Sequence, residues 1–133
     1  MNAGKEQVWA DFLASAKAAV VDNDSDAAKE SRAAQKEKMK GDADAQAAMK
    51  QFVGGMFAKH DKNGNGFLEQ DEFLAFSKEM VAAGNAKHGG DRTLPDDTIN
   101  AGWGVCRECF GNPEAAGVAL ADFGKMMHAA GNP

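Results

Sequence analysis

Asp61, Asn63, Asn65, Glu69 and Glu72 occupy the first, third, fifth, ninth and last positions of a twelve-residue run, DKNGNGFLEQDE, with Gly66 sixth. All five side chains carry oxygen donors, and oxygen is what a hard divalent cation takes, six to eight at a time at about 2.3–2.6 Å for Ca²⁺. Alternate positions bring Asp61, Asn63 and Asn65 round to one centre as the chain wraps. Gly66 permits the sharp turn that faces the backbone carbonyl of Phe67 inward. Glu69 reaches the centre directly or through a water, and Glu72 is long enough to supply two oxygens at once. Leu68 is the apolar residue that enters the core. A polar Gly/Asn turn between helices would have no need of Glu72 at the far end.

The run matches the D-x-[DN]-x-[DN]-G-x5-E pattern at every specified position, and residues 49–81 resemble a hand of the EF-hand superfamily of calmodulin-like and parvalbumin-like proteins. The resemblance implies a helix–loop–helix fold, Ca²⁺ as cofactor, and ligand roles for Asp61, Asn63, Asn65, Phe67, Glu69 and Glu72. Two of the loop's side-chain donors are neutral amides, so the expected affinity lies in the sensor range of about 10⁻⁷–10⁻⁵ M. Mg²⁺ is the main competitor.

The elements that must hold this loop read as helices. Ala is abundant, Pro is limited to 3 and Tyr is absent, a composition that favours an all-α fold. Val8, Trp9, Phe12, Leu13, Ala16 and Val20 make an apolar stripe at three- and four-residue steps, predicting a helix over Glu6–Val21. Asp22–Lys40 opens on DNDSD and closes on a lysine cluster, as a capped, solvated helix or helical linker does. A third helix is expected over Asp42–Lys59, with Met49, Phe52, Val53, Met56 and Phe57 on one face despite Gly54 and Gly55. A fourth is expected over Gln70–Ala83, with Gly84 as its stop and residues 84–94 as a loop. Pro95 opens a fifth helix that buries Ile99, Trp103, Cys106 and Phe110 before Gly111-Asn112-Pro113 breaks it, and a last one starts near Leu120 and stops at Gly131. The chain thus divides into an N-terminal helical extension, 1–41, and an EF-hand pair, 42–133, with the intact hand at about 49–81 and its partner at about 97–130.

Hands of this family come in pairs, and the partner here looks degenerate. Aligning Phe123 with Phe73 puts Gly111, Pro113 and Ala115 at the first three ligand positions, none with a side-chain oxygen, and the shorter Asp122 at the last. This loop is expected to bind no calcium and to pair with Leu68 through Val118 or Ala119. Asp22, Asp24 and Asp26 repeat the one-three-five spacing, but Ala27 and Ala33 stand where the Gly and the last Glu are required, which leaves helix capping as their expected role.

Cys106 and Cys109 form a C-x-x-C. Zinc needs four ligands, and no second such pair and no suitably spaced His accompany it. Buried thiols are the expectation, with a thiol-redox protein as a less favoured function. Six methionines, Met39, Met49, Met56, Met80, Met126 and Met127, either fill the core or line an adaptable groove.

The 133 residues suit a single domain. Acidic and basic side chains balance within residues 1–41, so the formal charge of -5 arises beyond them. Four carboxylates against Lys62 concentrate much of it in the loop 61–72. An acidic chain is a poor partner for nucleic acid, which calls for clustered Lys and Arg. No apolar run approaches a membrane span. The polar N-terminus and two cysteines point to the cytoplasm. The expected function is a non-catalytic calcium sensor or regulator, whose partner is an amphipathic helix of a target or the chain's own first helix. A calcium buffer that changes shape little is the alternative, and hands meeting in an oligomer is a structural possibility.

Overall fold

A computed structural model describes residues 1–131, which form six helices and two short antiparallel sheets. Helix α1 (Glu6–Ala19) starts on an acidic residue and ends near Lys17. Its stripe lies on α5 (Asp96–Phe110), with the Trp9 ring edge-on to Phe110 at 5.1 Å between centroids. A Cβ at Gly102 of α5 would stand 3.2 Å from Phe12 Cζ, so the absent side chain lets α1 approach. The first helix is therefore a wall of the common core, in which Trp9 is buried.

Helix α1 stops short of the expected Val21, because Val21 and Asp22 form β1 and pair with β3 (Arg92–Thr93). Helix α2 (Asp26–Gly41) accordingly begins four residues later than Asp22, where the Ser25 hydroxyl accepts the Ala28 N–H at 3.2 Å. Most of α2 is solvated as expected, but Ala28 is buried and Arg32 reaches α4, which a free linker would not do.

Asp42 caps α3 (Ala43–His60) by accepting the Ala45 N–H at 3.0 Å. Helix α4 (Gln70–His88) runs through Gly84, contrary to the expected stop there. Gly84 stays helical beside Arg32 of α2, and it is Gly89, at φ 64°, that turns left-handed and ends the helix with its N–H on the Asn85 carbonyl. The expected 84–94 loop thus shrinks to a short link that contains β3. Pro95 precedes α5, and α6 spans Leu120–Gly131; the stop expected at Gly131 falls at the edge of the described residues.

Two helix–loop–helix units result, α3 with α4 and α5 with α6. Their loops are joined by β2 (Phe67–Leu68) and β4 (Val118–Ala119), in the register Phe67↔Ala119 and Leu68↔Val118. This is the pairing expected of Leu68. Beneath it, Phe76 meets Phe123 edge-on at 5.0 Å, and Phe73 meets Phe123 at 6.0 Å. Burial of such aromatic groups, at roughly 25 cal/mol per Å², is the main force holding the two units together. No helix among the described residues is long and apolar enough to cross a membrane.

Candidate metal centre

Helix α3 delivers Asp61 at its C-terminal boundary, where the Asp61 N–H still reaches the Phe57 carbonyl at 2.9 Å. The chain then folds back on this residue. The Gly66 N–H donates to Asp61 Oδ2 at 2.9 Å, which the left-handed φ of 81° at Gly66 makes possible. Asn65 Oδ1 accepts the Phe67 N–H at 3.0 Å and so tightens the turn. Glu72 closes the loop from the other end. Its Oε1 accepts the Glu69 N–H, and its Oε2 accepts the Lys62 N–H, each at 3.0 Å. The first bond caps α4, while the second ties the last position of the loop to the second.

Asp61 Oδ1 is buried without a hydrogen-bond partner among the described residues. A carboxylate oxygen left this way costs about 1–3 kcal/mol. Glu72 is 6% exposed. Each of its oxygens has spent one hydrogen-bond site, and a carboxylate offers about four. A hard cation would answer both facts, and the donor set here is wholly oxygen. Asp61, Asn65 and Glu72 are thus tied to the loop's own backbone, and Asn63, Asn65 and Glu69 are exposed. Among the described residues no group of three or more His, Cys, Asp or Glu side chains is gathered at metal-binding range. Asp61, Glu69 and Glu72 therefore do not converge as three carboxylates.

The second loop is built differently. Arg107 of α5 donates from Nη2 to the carbonyls of Pro113, at 2.6 Å, and Ala115. Its guanidinium carbon also lies 4.4 Å from the Trp103 ring centroid, a cation–π arrangement. The positive charge at these carbonyls is thus an arginine. Asp122 sits against Gly111, where a Cβ would fall 2.6 Å from its Oδ2.

The capping expected of Asp22, Asp24 and Asp26 falls to Ser25 instead, and Asp24 has another structural role. Asp24 is buried, with Arg32 Nε at 2.7 Å, Arg92 Nε at 3.0 Å and the Asp91 N–H at 2.6 Å. Burial alone would raise its pKa, but the Asp91 amide and the two guanidinium groups outweigh that and hold the carboxyl below the usual range. Asn85 joins the cluster, accepting from Arg32 and Arg92 N–H and donating to the Arg92 carbonyl. Sequence reasoning missed this cluster because nothing in the spacing pairs an aspartate with arginines 8 and 68 residues away.

Cys106 and Cys109 are free and fully buried. Burial pushes the Cys106 thiol up to about 12 and also raises that of Cys109. Reactive thiols are exposed and acidic, and these are neither. The chain before α1 covers this end of α5, where the Asn2 amide donates to the Glu108 and Gly111 carbonyls at 2.8 Å and Lys5 pairs with Glu108 at 2.7 Å. Comparison with family models, with curated proteins and with solved structures finds no match to this chain.

Proposed function

We propose that the chain is an EF-hand-type protein that binds one Ca²⁺ in the loop 61–72 and acts in the cytoplasm as a non-catalytic calcium sensor or regulator. The observation that carries this reading is the buried, unpartnered Asp61 Oδ1 at the head of a loop whose donors are all oxygen. Asp61, Asn63, Asn65, Glu69 and Glu72 would hold the ion through side chains and Phe67 through its carbonyl. Bound calcium would supply a charge centre that draws these groups together, with Mg²⁺ as competitor. Asn63, Asn65 and Glu69 are exposed and would have to turn inward. Glu72 is rooted in α4, so any movement of its carboxylate is passed to that helix. Phe52, Leu120 and Met127 are large apolar side chains left exposed, and they support a target-binding role in which an amphipathic helix is the partner. Helix α1 already occupies α5 and is the internal counterpart of such a helix.

Closure of the loop by Glu72 onto two backbone amides favours a second reading, a buffer that changes shape little. Thermal unfolding with calcium and with a chelator tests the first claim. A ligand at 100 times its Kd stabilises the native state by about 2.7 kcal/mol. The wild-type midpoint should rise accordingly, and that of Glu72→Gln should not. Equal midpoints with and without calcium in the wild type would refute binding. Apolar-dye fluorescence then separates sensor from buffer, since only the sensor gains signal.

A further inference from the structure

The peptide group joining Leu68 to Glu69 is held from both sides. Its carbonyl accepts the Trp103 indole N–H at 2.9 Å, and its N–H donates to Glu72 Oε1 at 3.0 Å. Trp103 belongs to α5, in the other helix–loop–helix unit. Its ring is backed by the Arg107 guanidinium one helical turn on, which itself holds the Pro113 and Ala115 carbonyls of the second loop. A peptide that accepts at one end donates more strongly at the other, because hydrogen bonds in series polarise one another. Gly117 packs so close to the Leu68 carbonyl that a Cβ would stand 2.6 Å from the carbonyl carbon, which fixes the plane of this peptide.

We propose that Trp103, braced by Arg107, is a positioning residue for the cation loop. Through the Leu68–Glu69 peptide it orients the Glu72 carboxylate, and Arg107 serves as the resident cation of the second loop, so that the unit without a metal sets the geometry of the unit that takes one. The effect on calcium affinity rests on the calcium reading above, whereas the effect on the Glu69 amide does not.

The test uses the full chain with Trp103→Phe, which keeps an aromatic ring and removes the N–H, and Arg107→Met, which keeps the indole and removes its brace. Amide proton spectra are recorded without calcium, and affinity is measured by calcium titration. In Trp103→Phe the Glu69 amide proton should move upfield, and calcium should bind about two- to tenfold more weakly, the loss expected for one hydrogen bond. Arg107→Met should shift the Glu69 amide in the same direction by less, and it carries the test if Trp103→Phe does not fold. A purely structural Trp103 would lower stability while leaving both readouts at wild-type values, and that result overturns the proposal. So does wild-type calcium affinity in both variants. A shifted Glu69 amide in a protein that binds no calcium, even as wild type, supports the relay and refutes the calcium reading instead.

Discussion

Gly117 is where the packing makes its most severe demand. A Cβ there would overlap the Leu68 carbonyl oxygen and stand 2.6 Å from its carbonyl carbon and 3.1 Å from the Glu69 nitrogen. All three atoms are backbone, so no side-chain rotation relieves the clash. Gly117→Ala must push β2 away from β4. Overpacking of this kind costs about 1–3 kcal/mol. Strand separation further strains the Trp103 bond to Leu68 and the Leu68↔Val118 pair, at about 1 kcal/mol for each hydrogen bond lost. A total of about 3 kcal/mol lowers the unfolding midpoint by roughly 10 °C in a domain of this size. Circular dichroism during heating measures it. Gly104→Ala is the control, since a Cβ there meets nothing within 4 Å and the residue lies inside α5. That change should stabilise the protein by about 0.5–1 kcal/mol. Refutation would be a Gly117→Ala protein that melts within about 2 °C of wild type, a shift worth well under 1 kcal/mol.

Other expectations concern groups outside the loop. The Asp24 carboxyl is held below its ordinary pKa, so the folded state binds its proton less readily than the unfolded chain. Its stabilising effect is complete above the unfolded value of about 3.9 and is lost as pH falls through the lower folded value. Urea midpoints measured below about pH 4 should therefore fall more steeply in wild type than in Asp24→Asn. Cys106 and Cys109 should resist a thiol reagent in the native protein and react once urea unfolds it; fast modification of the folded chain would contradict their burial.

What the sequence disclosed was chiefly local or periodic. The loop pattern, the apolar stripe of α1 and the Pro95 start follow from spacing along one segment. The pairing of Leu68 with Val118 is expected from the resemblance to paired hands, and of the α3 stripe Met56 and Phe57 are buried while Phe52 is exposed. The errors arose where a distant partner decides the outcome. Gly84 looked like a stop because glycine is a weak helix residue, yet Arg32 packs beside it and the left-handed turn falls at Gly89. Val21 reads as the end of the first helix, yet its backbone pairs with Thr93. Residues 22–25 read as the opening of α2, yet Asp24 is drawn into the Arg32 and Arg92 cluster and leaves Ser25 to cap. Of the candidate site, Asp61, Asn65 and Glu72 are tied together through the loop backbone, while Asn63, Asn65 and Glu69 are exposed. The role of Trp103 was hidden, since a buried aromatic position on a helix does not announce which carbonyl its N–H will find. Its one usable signal was Arg107 four residues along the same face.

Calcium titration calorimetry on the wild type and on Glu72→Gln tests the central claim most directly. The expected result is one site per chain, with Kd within about 10⁻⁷–10⁻⁵ M, abolished or severely weakened in Glu72→Gln. Absence of binding to the wild type would contradict it, as would a second site that survives the substitution.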